Sequence, residues 1–115
     1  MQIKPRNNRA VPLDVSEWNE EVKAFIKPLD GFESLVFNDY FFEFYNKEAD
    51  AKTRFNAGFN AALLCLVDEN GAPLLAEEDR AAIEAASFMP LFRMFAERLK
   101  VADENGEELE STKKN

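Results

Sequence analysis

The chain contains no histidine and only one cysteine, Cys65. Without histidine there is no imidazole for general acid–base work or for zinc. A single cysteine forbids an internal disulfide, and a Cys65 nucleophile would lack an imidazole to activate it. Cys65 sits in the apolar run Leu63-Leu64-Cys65-Leu66-Val67, where a small buried hydrophobe is expected. Glycine is scarce, 4 residues in 115, and none belongs to a phosphate-cradling loop. Basic residues are outnumbered, 14 Lys and Arg against 22 Asp and Glu, for a net charge of −8. That balance argues against duplex nucleic acid or anionic lipid as partner, because both require a basic surface. No apolar run approaches the length that spans a bilayer, and the N-terminus lacks the apolar core of a signal peptide. The expectation is a single cytoplasmic domain, large enough to hold its own core.

What the chain has in quantity is phenylalanine, 11 residues. The stretch from Arg54 to Asp79 is central. Phe55, Phe59, Ala62, Leu63 and Leu66 fall at i, i+4, i+7, i+8 and i+11, one buried face of a helix over about 51–67. Ala57, Gly58, Ala61 and Ala62 are small enough for another helix to come close. Asp68-Glu69-Asn70-Gly71 tolerates left-handed backbone and ends that helix in a turn. Pro73, Leu74 and Leu75 form an apolar tie. Glu77-Glu78-Asp79 suits the start of a short helix over about 77–86, with Ala82, Ile83 and Ala86 inward.

Upstream, residues 1–10 read as a loose arm. Val11 to Val15 is an edge strand, because Pro12 lacks an N–H. In the next segment Val22, Ala24 and Ile26 alternate with Glu21, Lys23, Phe25 and Lys27, the pattern of a strand. A turn near Asn19 makes the two a hairpin, with Trp18 covering one end of the core. Asp30 and Glu33 have the spacing of a capping box for a helix over about 32–46. That helix is crowded with aromatics, most of them expected in the core because aromatic stripes at helical spacing are usually core. Yet its apolar positions occupy more than one face, so part of it is expected to be a partner-binding surface. Phe37, Phe41, Phe44 and Tyr45 share one face and are the candidate partner-binding residues; Leu35, Val36, Tyr40 and Phe42 point elsewhere. A lone helix cannot hide them all, so an apolar patch is expected, covered by another copy of the chain. Ser87 caps the last helix, with Pro90 in its first turn. Phe88, Phe92, Phe95 and Leu99, with Leu91 beside them, are expected inward, and Arg93, Glu97, Arg98 and Lys100 outward. Residues 103–115 are polar and expected to be disordered.

The fold class expected is α+β, mainly helical, with an N-terminal β-hairpin packed on a bundle of three to four helices. The globular domain should span 11–102. Asp68–Gly71 recurs as Asp103–Gly106, but neither turn is an EF-hand loop. A glycine at the sixth position would put Leu66 or Val101 first, where a carboxylate is required. No catalytic residue, cofactor or metal ligand is expected.

The order of these features resembles the small tail assembly chaperones of long-tailed phages and prophages, over about Val11 to Asp103. The segments that carry the resemblance are VSEWNEEVKAFIKPL, LDGFESL and, most specific, LLCLVDENGAPLLAEEDRAAI. A final amphipathic helix and a charged tail complete it. FNDYFFEFYN departs from the pattern in being more aromatic. The resemblance implies a non-catalytic holdase that keeps apolar helices of the tape-measure protein soluble and recruits tail-tube subunits. It implies absence from the mature virion. It also implies a longer form made by ribosomal frameshifting near Lys113-Lys114-Asn115. Two other function classes fit the residues. One is a structural or connector protein of the phage tail or neck. The other is an acidic inhibitor of a host DNA-binding protein.

Overall fold

The computed structural model describes residues 1–2 and 9–104, with side chains as far as Lys100. Strand β1 (Val11–Leu13) pairs antiparallel with β2 (Ala24–Ile26), setting Val11 opposite Ile26 and Leu13 opposite Ala24. The expected hairpin is therefore present. Leu13, Ala24 and Ile26 point into the core. Pro12 is accommodated because β1 is an edge strand. Between the strands, the Trp18 amide donates to the Val15 carbonyl at 2.8 Å. The Asp14 and Asn19 side chains each accept an amide two residues on, both at 2.9 Å.

A third strand was not anticipated. The central helix, α2 (Ala51–Cys65), stops before Leu66 rather than continuing to Val67. Leu66–Val67 is β3, antiparallel to β2, with Phe25 opposite Val67 and Ile26 opposite Leu66. The reason is a ready set of backbone partners. The Lys27 amide donates to the Cys65 carbonyl at 2.9 Å, and the Leu74 amide to the Leu66 carbonyl at 3.0 Å. Leaving the helix thus gives the Cys65 and Leu66 carbonyls partners, and β-branched Val67 suits extended backbone. The acidic turn follows as expected. The Asp68 carboxylate accepts from the Asn70 and Ala72 amides, and Gly71 takes φ 83°, a left-handed value glycine adopts without cost.

Helix α1 (Gly31–Phe44) begins with a complete capping box. The Glu33 amide donates to Asp30 Oδ1 at 2.7 Å, and the Asp30 amide to Glu33 Oε1 at 3.1 Å. Asp50 caps α2 by accepting the Thr53 amide at 2.7 Å. The two helices pack along the small-residue face of α2, where Ala57, Gly58, Ala61 and Ala62 are buried. After one 3-10 turn at Glu77–Asp79 comes α3 (Arg80–Ala85). Ile83 is buried as expected, but Ala82 and Ala86 are exposed, since a helix of under two turns has room for only one inward residue.

Helix α4 (Met89–Glu104) starts where expected: the Met89 amide donates to Ser87 Oγ at 3.1 Å, and Pro90 lies in the first turn. Its buried face is rotated from the expected one. Leu91, Met94 and Phe95 are fully buried, Phe92 is half-buried, and Phe88 and Leu99 are exposed. Met94, outside the phenylalanine stripe, joins the core cluster, where an unbranched, flexible side chain fills irregular space. Arg98 also turns inward, donating to Ser34 Oγ on α1 at 3.2 Å, instead of facing water. The helix continues to Glu104; the remainder of the expected polar tail lies outside the described residues. Trp18 closes the sheet end of the core, half-buried, its indole N–H donating to the Ser87 carbonyl at 2.8 Å. The whole is α+β and mainly helical, with the sheet at one side of the helices.

Candidate partner-binding surface

The four candidate residues are brought together, but inward. Phe37 and Phe44 are only 3% and 6% exposed. Both ring centroids lie close to that of Phe95, at 5.1 and 4.9 Å. Phe41 joins the same ring at 5.6 Å and Tyr45 at 5.9 Å. Tyr45 also contacts Phe92 at 5.6 Å. This is the aromatic centre of the core, where such contacts each add to area burial. Phe37 and Phe44 are therefore unavailable to a partner, which corrects the choice made from spacing. Phe41 is half-buried and Tyr45 partly exposed. Burial among the rings raises the Tyr45 phenol above its ordinary value of 10.0.

The exposed apolar surface of α1 lies on its opposite face. Phe32, Leu35 and Phe42 are 75%, 66% and 68% exposed. At 100° per residue they lie within one quadrant, directed away from Phe37, Phe41 and Phe44. Asn38 and Asp39 lie on the same outer side and are also exposed. Sequence pattern alone missed these three residues as the open surface. Carboxylates do not separate the two faces, because each carries one: Glu33, four residues before Phe37, on the inner side and Asp39 on the outer.

A second apolar feature is a groove of about 560 Å³ lined by Phe44, Phe55, Ile83, Phe88 and Phe92. On its rim Lys52 Nζ pairs with Glu84 at 2.8 Å. Arg54 Nε donates to the Phe44 carbonyl at 2.9 Å, closing the last turn of α1 against α2. Phe88 is exposed at the mouth.

Elsewhere the polar groups are used structurally. The Glu17 carboxylate pairs with Arg93 and is held below the usual carboxylate range by that contact. Asp14 is lowered by the Ser16 amide, Glu33 by the Asp30 amide, Asp50 by the Thr53 amide and Glu77 by Arg80. All five are ionised surface groups at neutral pH. Cys65 is buried, and desolvation pushes its thiol up to about 12, against weak opposition from the Arg98 and Lys27 charges. It is packed as a hydrophobe. Among the described residues no group of three or more His, Cys, Asp or Glu could hold a metal ion. No described helix is long and apolar enough to cross a membrane.

What this arrangement offers chemically is apolar contact area bordered by carboxylates. Comparisons with protein-family models, curated proteins and solved structures found no match.

Proposed function

We propose that this chain is a non-catalytic phage tail assembly chaperone. It acts in the cytoplasm of the bacterial host, binds apolar helices of the tape-measure protein and helps recruit tail-tube subunits. It is absent from the finished virion. The observation that carries this is α1, which is apolar on two opposite sides. Its inner side fills the core, and its outer side presents Phe32, Leu35 and Phe42 to solvent. Such a face marks an interaction site in a domain this small, and an amphipathic helix is the natural ligand for it. The net charge of −8 keeps a complex with an apolar client soluble.

The carboxylates favour this role over that of an acidic inhibitor. Glu17, Glu33, Glu77 and Glu84 are each paired with a local cation, on several separate elements. The test is co-expression of the tagged chain with the tape-measure protein encoded in the same cluster. The expected result is a soluble complex, with Leu35→Asp and Phe42→Asp losing it. A tape-measure protein that stays insoluble and uncaptured would sink the proposal. Detection of the chain in purified particles would favour a connector instead.

A further inference from the structure

Phe32, Leu35, Asp39 and Phe42 follow one another at intervals of three, four and three residues, the seam spacing of packed helices. All four are exposed. The interval from residue 32 to residue 42 rises about 15 Å, enough for two to three turns of a partner helix. Asp39 occupies a central position of this seam, between Leu35 and Phe42. Among the described residues no ion pair engages it. α1 carries Glu33, Asp39 and Glu43 and neither lysine nor arginine.

We infer that the outer face of α1 docks an amphipathic helix of another protein whose apolar seam carries a lysine or arginine opposite Asp39. This rests on the helix-binding role proposed above and adds the chemistry of the partner. Charge selects the occupant. Laying α1 against α1 of a second copy in parallel would set Asp39 against Asp39. Antiparallel pairing would press each carboxylate onto a leucine of the other copy, whose α1 has no lysine or arginine to meet it. Both arrangements cost free energy, by like-charge repulsion or by desolvation without a partner. A basic side chain at that position instead forms a charge-assisted pair flanked by apolar contacts. The net charge of −8 acts in the same direction, repelling a second copy and attracting a basic helix.

The test uses the full chain and two synthetic helical peptides with one leucine seam, carrying lysine or glutamate at its centre. Binding is read by fluorescence anisotropy. The lysine peptide should bind at least about tenfold tighter than the glutamate peptide, a preference that falls with added salt. Asp39→Lys should reverse the order. Leu35→Asp and Phe42→Asp should each weaken the lysine peptide about tenfold or more, with unchanged circular dichroism because both sites are exposed. An Asp39→Lys chain that keeps the original preference overturns the inference. So does binding that survives Leu35→Asp but is lost in Phe88→Asp, which would put the helix in the groove. A concentration-dependent dimer in sedimentation, abolished by Leu35→Asp, would make a second copy the occupant and overturn it as well. Capture of the native tape-measure protein remains a separate readout. Capture without any lysine preference removes the charge rule and leaves the chaperone role standing.

Discussion

Gly58 lies directly under the Phe44 ring: a Cβ at position 58 would sit 2.8 Å from two of its carbons and 3.1 Å from a Leu91 methyl. This one contact brings α1, α2 and α4 together. In an open helix Gly→Ala is stabilising by about 0.5–1 kcal/mol. Here the sign should reverse. Both neighbours are buried and have nowhere to move. Gly58→Ala is expected to destabilise by about 1–3 kcal/mol through overpacking, read from urea midpoints with helicity retained. An increase in stability would show that the core between these helices is loose.

Arg80 is the clamp between α3 and α2. Its guanidinium donates to Asn56 Oδ1 at 2.8 Å and Asn60 Oδ1 at 2.9 Å, pairs with Glu77, and covers the Phe59 ring at 4.5 Å. An ammonium cannot reproduce that planar fork. Arg80→Lys should cost about 1–2 kcal/mol although the charge is kept, measurable by thermal unfolding. Glu77→Gln should cost far less, since that carboxylate is on the exposed side of the clamp.

Cys65 should resist thiol reagents. Its thiol is pushed up to about 12 from an ordinary 9.0, so the folded chain should react with a disulfide reagent only through transient opening of the structure. The same shift makes stability fall in alkali. The buried neutral thiol contributes fully below 9.0, and that contribution is lost as pH climbs from 9.0 toward about 12, because the unfolded chain releases the proton first. Cys65→Ala should remove this part of the alkaline slope, and a slope unchanged in that variant would contradict the assignment.

The Glu17–Arg93 pair joins the strand connection to α4, with Arg93 also donating to the Asp14 carbonyl at 3.1 Å. Arg93 depresses the Glu17 carboxyl. Its contribution is therefore present above the ordinary value of 4.5 and lost as pH falls through and below it. Urea midpoints of Arg93→Met, compared with the parent between about pH 6 and pH 3, should depend less on pH. Both groups are accessible to water, so the change should be modest and shrink in high salt.

Local signals in the sequence were read well where one residue type has one job. Asp30 with Glu33, Ser87 with Pro90, and Asp68 to Gly71 all concern backbone groups within four residues. The apolar faces were harder. Leu66 and Val67 continue the periodicity of α2, so nothing local distinguishes a last helical turn from a strand. Only β2, far upstream, decides it. Phe37 and Phe42 look alike to a helical pattern, and which one is buried depends on where α4 lies. Charge does not settle it either, since Glu33 stands on the side of Phe37, held by the Asp30 amide and Lys27, while Asp39 stands on the outer side. Arg98 is a like case: its charge suggests solvent, while its long stem buries against α1.

The β2–β3 pairing has a consequence in time. Phe25 meets Val67 and Ile26 meets Leu66, contacts that span the whole of α1 and α2. Two helices adjacent in the chain can associate early, because the loop they close is short. The sheet cannot register until that helical pair has set the distance between its two ends. The segment from Val11 to Leu29 should thus dock last in folding and open first in native-state hydrogen exchange, ahead of the α1–α2 contact. Trp18 lies in that segment and Cys65 beneath it. Tryptophan fluorescence and thiol reactivity should then report one and the same opening event, with equal rates in a stopped-flow and labelling comparison.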